Sequence, residues 1–213
     1  MIYIAAALAL FLSGGAFWYF RKIKPHRLSV TETLSQFISL LPLQEARLQK
    51  YPMPTVTGNY FGFRISLEGN AKKQEANRKK GFRFLATVEL PKALSARIFL
   101  QEEGRKTSFK PIADLKWVPT EIEGFQKKFL LLASDEVRAR AVFQPYLCRK
   151  ILSLSETHWQ LDAQKSEAHF EVWQEVLNSA SLSDLLRVVV EVLNYLVVTE
   201  TLPTPLPLRE REG

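Results

Sequence analysis

The first twenty residues, MIYIAAALALFLSGGAFWYF, carry no charged side chain, and this segment constrains the chain more than any other. As an α-helix, a segment of this length is about 30 Å long, which matches the hydrocarbon thickness of a bilayer. Trp18, Tyr19 and Phe20 close the segment where interfacial aromatic residues are typical, and the basic run RKIKPHR follows at once. The sequence therefore predicts a transmembrane anchor over residues 1–20.

The position of the positive charge predicts the orientation of this anchor. Basic residues follow the apolar segment and none precedes it, so we expect a single-pass signal-anchor with the N-terminus outside and the rest of the chain in the cytoplasm. The alternative is a cleaved secretory signal, because Gly14 and Ala16 form a small-x-small pattern. Such signals carry their charge before the apolar region, which favours the anchor. A single cysteine, Cys148, excludes an intramolecular disulfide and agrees with a cytoplasmic location.

Small side chains recur along one face of the predicted anchor. Ala5, Ala9 and Ser13 are spaced by four residues, so they align on one side of a helix. A face of this kind lets a second transmembrane helix approach closely. We predict that these three residues contact a membrane-protein partner or a second copy of the chain.

The outer part of the chain is basic, with 29 Lys and Arg against 22 Asp and Glu. Such a surface suits anionic lipid headgroups next to an anchor, although a solvated loop is the alternative reading of the cluster between residues 72 and 83. We do not expect nucleic-acid binding, because this cluster lacks the aromatic residues on which bases stack. The residues predicted to contact the membrane surface are Arg21, Lys22, Lys24, Arg27, Lys72, Lys73, Lys79 and Lys80.

The remaining pattern predicts one α+β domain. We divide the chain into the anchor, a basic juxtamembrane linker with a short helix (21–54), the α+β domain (55–200) and a proline-rich extended tail (201–213). The linker helix is expected over Leu28–Leu41 from its helical spacing of apolar residues.

Alternating apolar residues predict a mainly antiparallel sheet. A polar loop over residues 68–80 should connect two of its strands, and the apolar run in 125–132 suggests a central strand covered on both faces. The predicted strands cover residues 55–59, 61–67, 82–90, 97–100 and 125–132.

The segment THWQLDAQKSEAHFEVW predicts a hairpin folded about Gln164 and Lys165. This register sets Trp159 opposite Phe170 on an apolar face. It sets the pairs His158 with Glu171 and Gln160 with His169 on a polar face, which we expect to be solvated.

Two helical regions are predicted after the main strands. Ser134 should cap the first, which Pro145 should kink or divide. The second, with a capping box at Ser181 and Asp184, is apolar over most of its circumference and should cover the sheet. A second membrane span is the alternative, but Arg187 and Glu191 would be costly in hydrocarbon.

The chain offers little chemistry. His26, His158 and His169 are its only histidines, and no spacing supplies a third ligand or a catalytic partner, so we predict no metal site, no cofactor and no enzyme activity. Cys148 is expected to be a buried structural thiol, and Trp117 a core residue.

These observations favour a single-pass accessory or assembly protein whose non-catalytic domain makes protein contacts in a membrane complex. The alternative is a membrane-proximal module that binds lipid or another apolar ligand. A membrane-tethered enzyme that uses the hairpin histidines is the weakest reading.

Overall fold

The computed structural model describes residues 24–50, 52–73, 80–103, 114–154 and 158–200. The predicted anchor with Ala5, Ala9 and Ser13, the predicted headgroup contacts Arg21, Lys22 and Lys79, and the tail lie outside these residues. Within the described ranges, no helix is both long enough and apolar enough to cross a bilayer.

The described residues form five helices and nine strands. The helices are α1 (Lys24–Leu40), α2 (Glu123–Lys128), α3 (Glu136–Val142), α4 (Pro145–Ser153) and α5 (Ser179–Thr199). The strands are β1 (Gln44–Gln49), β2 (Thr55–Tyr60), β3 (Phe63–Lys73), β4 (Lys80–Glu89), β5 (Ile98–Glu102), β6 (Lys116–Trp117), β7 (Phe129–Ala133), β8 (His158–Gln164) and β9 (Glu167–Gln174).

All nine strands belong to one sheet, in the order β1-β2-β3-β4-β9-β8-β5-β7-β6. Each neighbouring pair is antiparallel. The predicted α+β class with a large antiparallel sheet is confirmed. The buried apolar side chains of all five helices join those of the strands in one core cluster, so these helices lie against one face of the sheet. We call this the core face.

The first helix is part of this core. Val30, Leu34 and Phe37 of α1 are buried at a helical spacing. Val30 lies so close to β3 that a Cβ atom on Gly69 would be 2.5 Å from its Cγ1. Farther along, the Cβ of Leu43 would be 3.1 Å from a Cβ on Gly58, which pairs with Ile65. The chain therefore runs along β3 from Gly69 towards Ile65, opposite to the direction of the strand.

The last helix covers the sheet as predicted, and ten of its residues are buried. Its polar stripe of Arg187 and Asn194 is exposed, whereas Val189 and Leu193 are fully buried. The predicted cap was wrong: Asn178 caps the helix, and its side chain accepts a hydrogen bond from the Ser181 amide. The helix consequently begins at Ser179, because the true N-cap lies three residues before Ser181.

The strand predicted over residues 125–132 divides into α2 and β7. Phe125 and Phe129 lie one helical turn apart with their ring centroids 5.1 Å from each other, and Glu123 pairs with Lys127 on the exposed side. β7 lies between β5 and the edge strand β6, rather than at the centre of the sheet. The next cap also differs: Asp135 caps α3, while Ser134 Oγ accepts a hydrogen bond from the Arg97 amide. Pro145 begins a separate helix, α4, as expected.

The β8–β9 hairpin forms, but its register differs from the prediction by two residues. Lys165 and Ser166 form the turn, so Leu161 pairs with Phe170 and Trp159 with Val172. Lys165 has φ 45°, which fits a turn position. Because a shift of two residues keeps every side chain on its own face, the predicted separation of apolar and polar faces is confirmed.

The polar loop predicted over residues 68–80 is shorter than expected. β3 extends to Lys73 and β4 begins at Lys80, with Lys72 paired to Gly81 and Lys73 to Lys80. Main-chain pairing alone can hold this end of the two strands together, since a ladder needs no apolar side chains. At the other end of β3, Phe61 lies in the turn rather than in the strand and is 81% exposed at φ 49°.

Candidate functional site: the polar face of the sheet

The sheet face opposite the helices carries polar side chains near its centre. Strand alternation places Arg83, Thr87, Asp162, His169 and Glu171 on this side, because their sequence neighbours belong to the core. We call it the polar face. It was expected to be solvated, yet Glu171 and Asp162 are 1% and 3% exposed.

Glu171 is the centre of a hydrogen-bond network. Its carboxylate accepts from Arg83 Nε at 2.6 Å and from Arg83 Nη2 at 2.9 Å. Gln160 Nε2 and Trp173 Nε1 donate to the same carboxylate at 2.9 and 2.8 Å. A buried carboxylate with four donors is fully compensated for its loss of hydration.

A second buried ion pair on this face joins Asp162 to Arg97. Arg97 Nε lies 2.8 Å from Asp162 Oδ1, and Nη2 contacts Oδ2. The expectation of a solvated hairpin face was therefore wrong. Arg83 lies in β4 and Arg97 directly precedes β5, so both are remote in sequence from the hairpin, and the hairpin pattern alone does not reveal them.

The two hairpin histidines do not converge. His158 pairs with Trp173, four residues along β9 from His169, so their Cα positions are separated by about 13 Å. His169 Nδ1 lies 3.2 Å from Thr87 Oγ1, and its Nε2 is 3.4 Å from Glu167. In the part of the chain that the structure describes, no three His, Cys, Asp or Glu side chains are grouped to hold a metal ion.

The other two predicted core residues differ in outcome. Cys148 is fully buried, its Sγ donates to the Phe143 carbonyl oxygen at 3.2 Å, and desolvation by burial raises its thiol pKa to about 11. It is a structural thiol, as predicted. Trp117 is 52% exposed, so its predicted burial was wrong. Trp117 belongs to the edge strand β6 and pairs with Leu132 of β7. Its side chain lies on the polar side of the sheet, away from the described helices.

Among the predicted membrane contacts, five have a described backbone. Lys24 and Arg27 lie in α1, and Lys72, Lys73 and Lys80 lie at the adjoining ends of β3 and β4. Since α1 runs opposite to β3, the beginning of α1 lies towards the same end of the sheet as these adjoining ends of β3 and β4. Lys24 is about 9 Å along the helix before Val30, and Lys73 is about 13 Å along the strand beyond Gly69. We call this end of the sheet, where the last residues of β3 pair with the first residues of β4, the hairpin end.

A depression of about 430 Å³ lies on the polar face over β1, β2 and β3. Its lining is polar apart from one glycine, and sequence reasoning did not identify any of its residues. Their only local signal is alternation with apolar neighbours, which many solvated strand faces share. The lining residues are Glu45, Arg47, Thr57, Gly58, Asn59 and Arg64.

No protein-family profile and no curated protein matches the chain. Among solved structures, the crystal structure of the mycobacterial trehalose monomycolate transport factor A, TtfA, is similar to it. The TM-score is 0.50 at 13% sequence identity, and the match covers 72% of this chain and 78% of that chain. At this identity the similarity is one of fold.

Proposed function

We propose that this chain is a single-pass, membrane-anchored accessory protein whose non-catalytic domain makes protein contacts in a membrane complex. The observation that carries the proposal is the common position of two basic segments. The start of α1, which begins within the RKIKPHR run that follows the apolar segment, lies towards the same end of the sheet as Lys72, Lys73 and Lys80.

This arrangement suits a domain held with its hairpin end against a bilayer. An anchor over residues 1–20 would bring both basic segments close to anionic headgroups, and each cation near such a surface contributes about 1 kcal/mol. The sheet would then be roughly perpendicular to the membrane plane, and its polar face would be accessible to a protein partner. In the proposed orientation the N-terminus is outside and the domain is cytoplasmic.

The fixed polar groups support a binding role rather than catalysis. The carboxylates of Glu171 and Asp162 are occupied by arginine donors, and the histidines stand apart. General acid-base catalysis needs a group that can reach a substrate proton. We accordingly propose that the domain is not an enzyme and needs no cofactor or metal.

A second candidate is a module that binds a lipid or another amphiphile near the membrane. The similarity of fold to TtfA favours it, because that mycobacterial protein is named as a transport factor for trehalose monomycolate. If this second candidate is correct, the chain takes part in lipid transport and its domain binds the lipid directly.

Gentle detergent extraction of the full chain, followed by mass measurement of the intact assembly, tests both candidates. A co-purifying protein subunit or a second copy supports the first, and bound lipid without another subunit supports the second. A bare, empty monomer contradicts both.

A variant set locates the contact within the proposed anchor. Replacing Ala5, Ala9 and Ser13 together with leucine should dissociate the partner, because the bulkier face prevents close helix approach. Ala7→Leu, on the other side of the same helix, is the matched control and should retain the partner. Equal behaviour of the two variants would exclude the small-residue face as the contact.

A further inference from the structure

The depression over β1, β2 and β3 combines two arginines with two neutral donors. Arg47 lies directly opposite Thr57 across the β1–β2 pair, and Arg64 lies opposite Asn59 across the β2–β3 pair. Thr57 and Asn59 are two residues apart on β2, so all four side chains project from the polar face. The guanidinium groups therefore flank the hydroxyl and amide groups from both sides.

An irregularity in β1 shapes one wall. The register shifts between Gln44 and Arg47, and Glu45 has φ 52°, a conformation that few non-glycine residues adopt. Such bulges redirect side chains, and here Glu45 Oε2 accepts a hydrogen bond from Asn59 Nδ2 at 3.4 Å. Gly58 permits the close approach, because a Cβ there would lie 3.2 Å from the Gln44 carbonyl oxygen.

Within the described residues, neither arginine of the depression holds a buried carboxylate. Arg64 has only a long contact of 3.9 Å with Glu89, and both side chains are more than half exposed, so this pair is weak. Within the described ranges, Arg47 has no ion-pair partner. By contrast, Arg83 and Arg97 each hold a buried carboxylate. With Glu45 as the single acid of the lining, the depression has an excess of positive charge.

We infer that this depression binds the phosphate group of a phosphorylated polyol or sugar. Planar guanidinium groups bind phosphate oxygens in a bidentate manner, and the Thr57 hydroxyl and Asn59 amide supply further donors. Glu45 accepts from a ligand hydroxyl next to the phosphate. The volume of 430 Å³ exceeds what a bare phosphate needs and lies within the range of small-ligand sites.

The position of the depression bears on the source of the phosphate. Gly58 pairs with Ile65, which lies about 26 Å along β3 from Lys73 at the hairpin end. A phosphate embedded in a bilayer at the hairpin end does not reach that far. With the hairpin end at the bilayer, as in the proposed function, the ligand is either a soluble phosphate ester or a lipid headgroup removed from the bilayer. The phosphate site itself does not rest on that orientation.

Titration calorimetry on the full chain in a non-ionic detergent tests the inference. Glycerol 3-phosphate is the soluble probe, and monomeric dihexanoyl phosphatidylglycerol is the lipid probe. We expect saturable binding of at least one probe, with affinity reduced about tenfold or more in both Arg47→Gln and Arg64→Gln. Tighter binding of the lipid probe identifies a lipid headgroup, and tighter binding of glycerol 3-phosphate identifies a soluble ester.

Two further variants separate a built site from general positive charge. Arg140→Gln removes a surface arginine of α3 that pairs with Glu136, and it should bind both probes like the wild type. Arg47→Lys keeps the charge but loses the planar fork, so its affinity should fall as well. The inference is overturned if neither probe binds, or if Arg140→Gln weakens binding as much as Arg47→Gln does. It is also overturned if Arg47→Lys binds like the wild type. Thermal unfolding of each variant verifies that the fold persists.

Discussion

Arg83 and Glu171 are 88 residues apart in sequence, yet their side chains form a two-point ion pair on the polar face, with Glu171 only 1% exposed. The pair joins β4 to β9, the two strands at the middle of the sheet. It therefore ties the first four strands to the C-terminal hairpin through side chains as well as through the main-chain ladder.

Removing this carboxylate should be strongly destabilising. Glu171→Ala leaves Arg83, Gln160 and Trp173 without their common acceptor, and breaking a buried pair costs about 3–5 kcal/mol. Denaturant unfolding measures the change in the free energy of unfolding. Glu89→Gln, in an exposed pair with Arg64, is the control and should change it by no more than about 0.5 kcal/mol. Similar losses in the two variants would contradict the structural role of the buried network.

Gly69 should tolerate no side chain. A Cβ atom there would lie 2.5 Å from Val30 Cγ1 and 2.9 Å from the Phe84 ring, so in Gly69→Ala the Val30 side chain of α1 and the Phe84 ring must shift. Overpacking of this kind costs roughly 1–3 kcal/mol, measurable as a lower unfolding midpoint. Gly124→Ala is the matched control: its nearest neighbour lies 3.8 Å away, and alanine favours the helix α2. An unchanged midpoint in Gly69→Ala would mean that α1 does not pack on β3 in solution.

A charge in the last helix should unfold the domain. Val189 and Leu193 are fully buried, and an unpaired charge at either site should cost several kcal/mol. Thermal unfolding of Val189→Asp and Leu193→Asp tests this. Asn194→Asp places the same charge at an exposed position of the same helix and should be nearly neutral. Small effects in all three variants would contradict the burial of α5.

Glu200 should make stability depend on acidic pH. Burial alone would raise its pKa, but hydrogen bonds from Arg138 and Ser95 outweigh this effect and hold the pKa below the ordinary value of 4.5. A lowered folded pKa adds stability above about pH 4.5 that is lost as pH falls through the folded pKa. Arg138 Nη1 lies 2.5 Å from the carboxylate, so this contact carries much of the effect.

Unfolding measured between pH 7 and pH 3 tests this linkage. Glu200→Gln should be less stable than the wild type at pH 7, and the difference should shrink below pH 4.5 as the wild-type carboxylate is protonated. Glu136→Gln, in the exposed pair with Arg140, should follow the wild-type curve. A constant difference between Glu200→Gln and the wild type at every pH would contradict the assignment.

The buried thiol provides a test of membrane orientation. Because Cys148 is buried with a raised pKa of about 11, it should react poorly with maleimides, which leaves a low background. In a Lys92→Cys variant, a membrane-impermeant maleimide should label the exposed position only after the cells are permeabilised. Labelling of intact cells would place the domain outside and reverse the orientation predicted from the flanking charges.

The sequence predicted those strands and helices that show a regular spacing of apolar residues within one segment. Alternation at Ile65, Leu67, Phe84 and Ala86 indicated strands and assigned their faces, and the apolar circumference of the last helix indicated a covered helix. It also assigned both faces of the β8–β9 hairpin correctly while its register was wrong by two residues, because the period of two does not distinguish such a shift.

Pairings between distant segments were decided by tertiary structure alone. The partners of Glu171 and Asp162, the grouping of Arg47 with Arg64, and the exposure of Trp117 at a sheet edge all depend on strand order, which no local pattern contains. The same holds for α1, whose weak amphipathic pattern did not reveal that Gly69 leaves room for Val30 against the sheet. Side-chain periodicity records which face a residue occupies, whereas burial depends on what the rest of the chain places over that face.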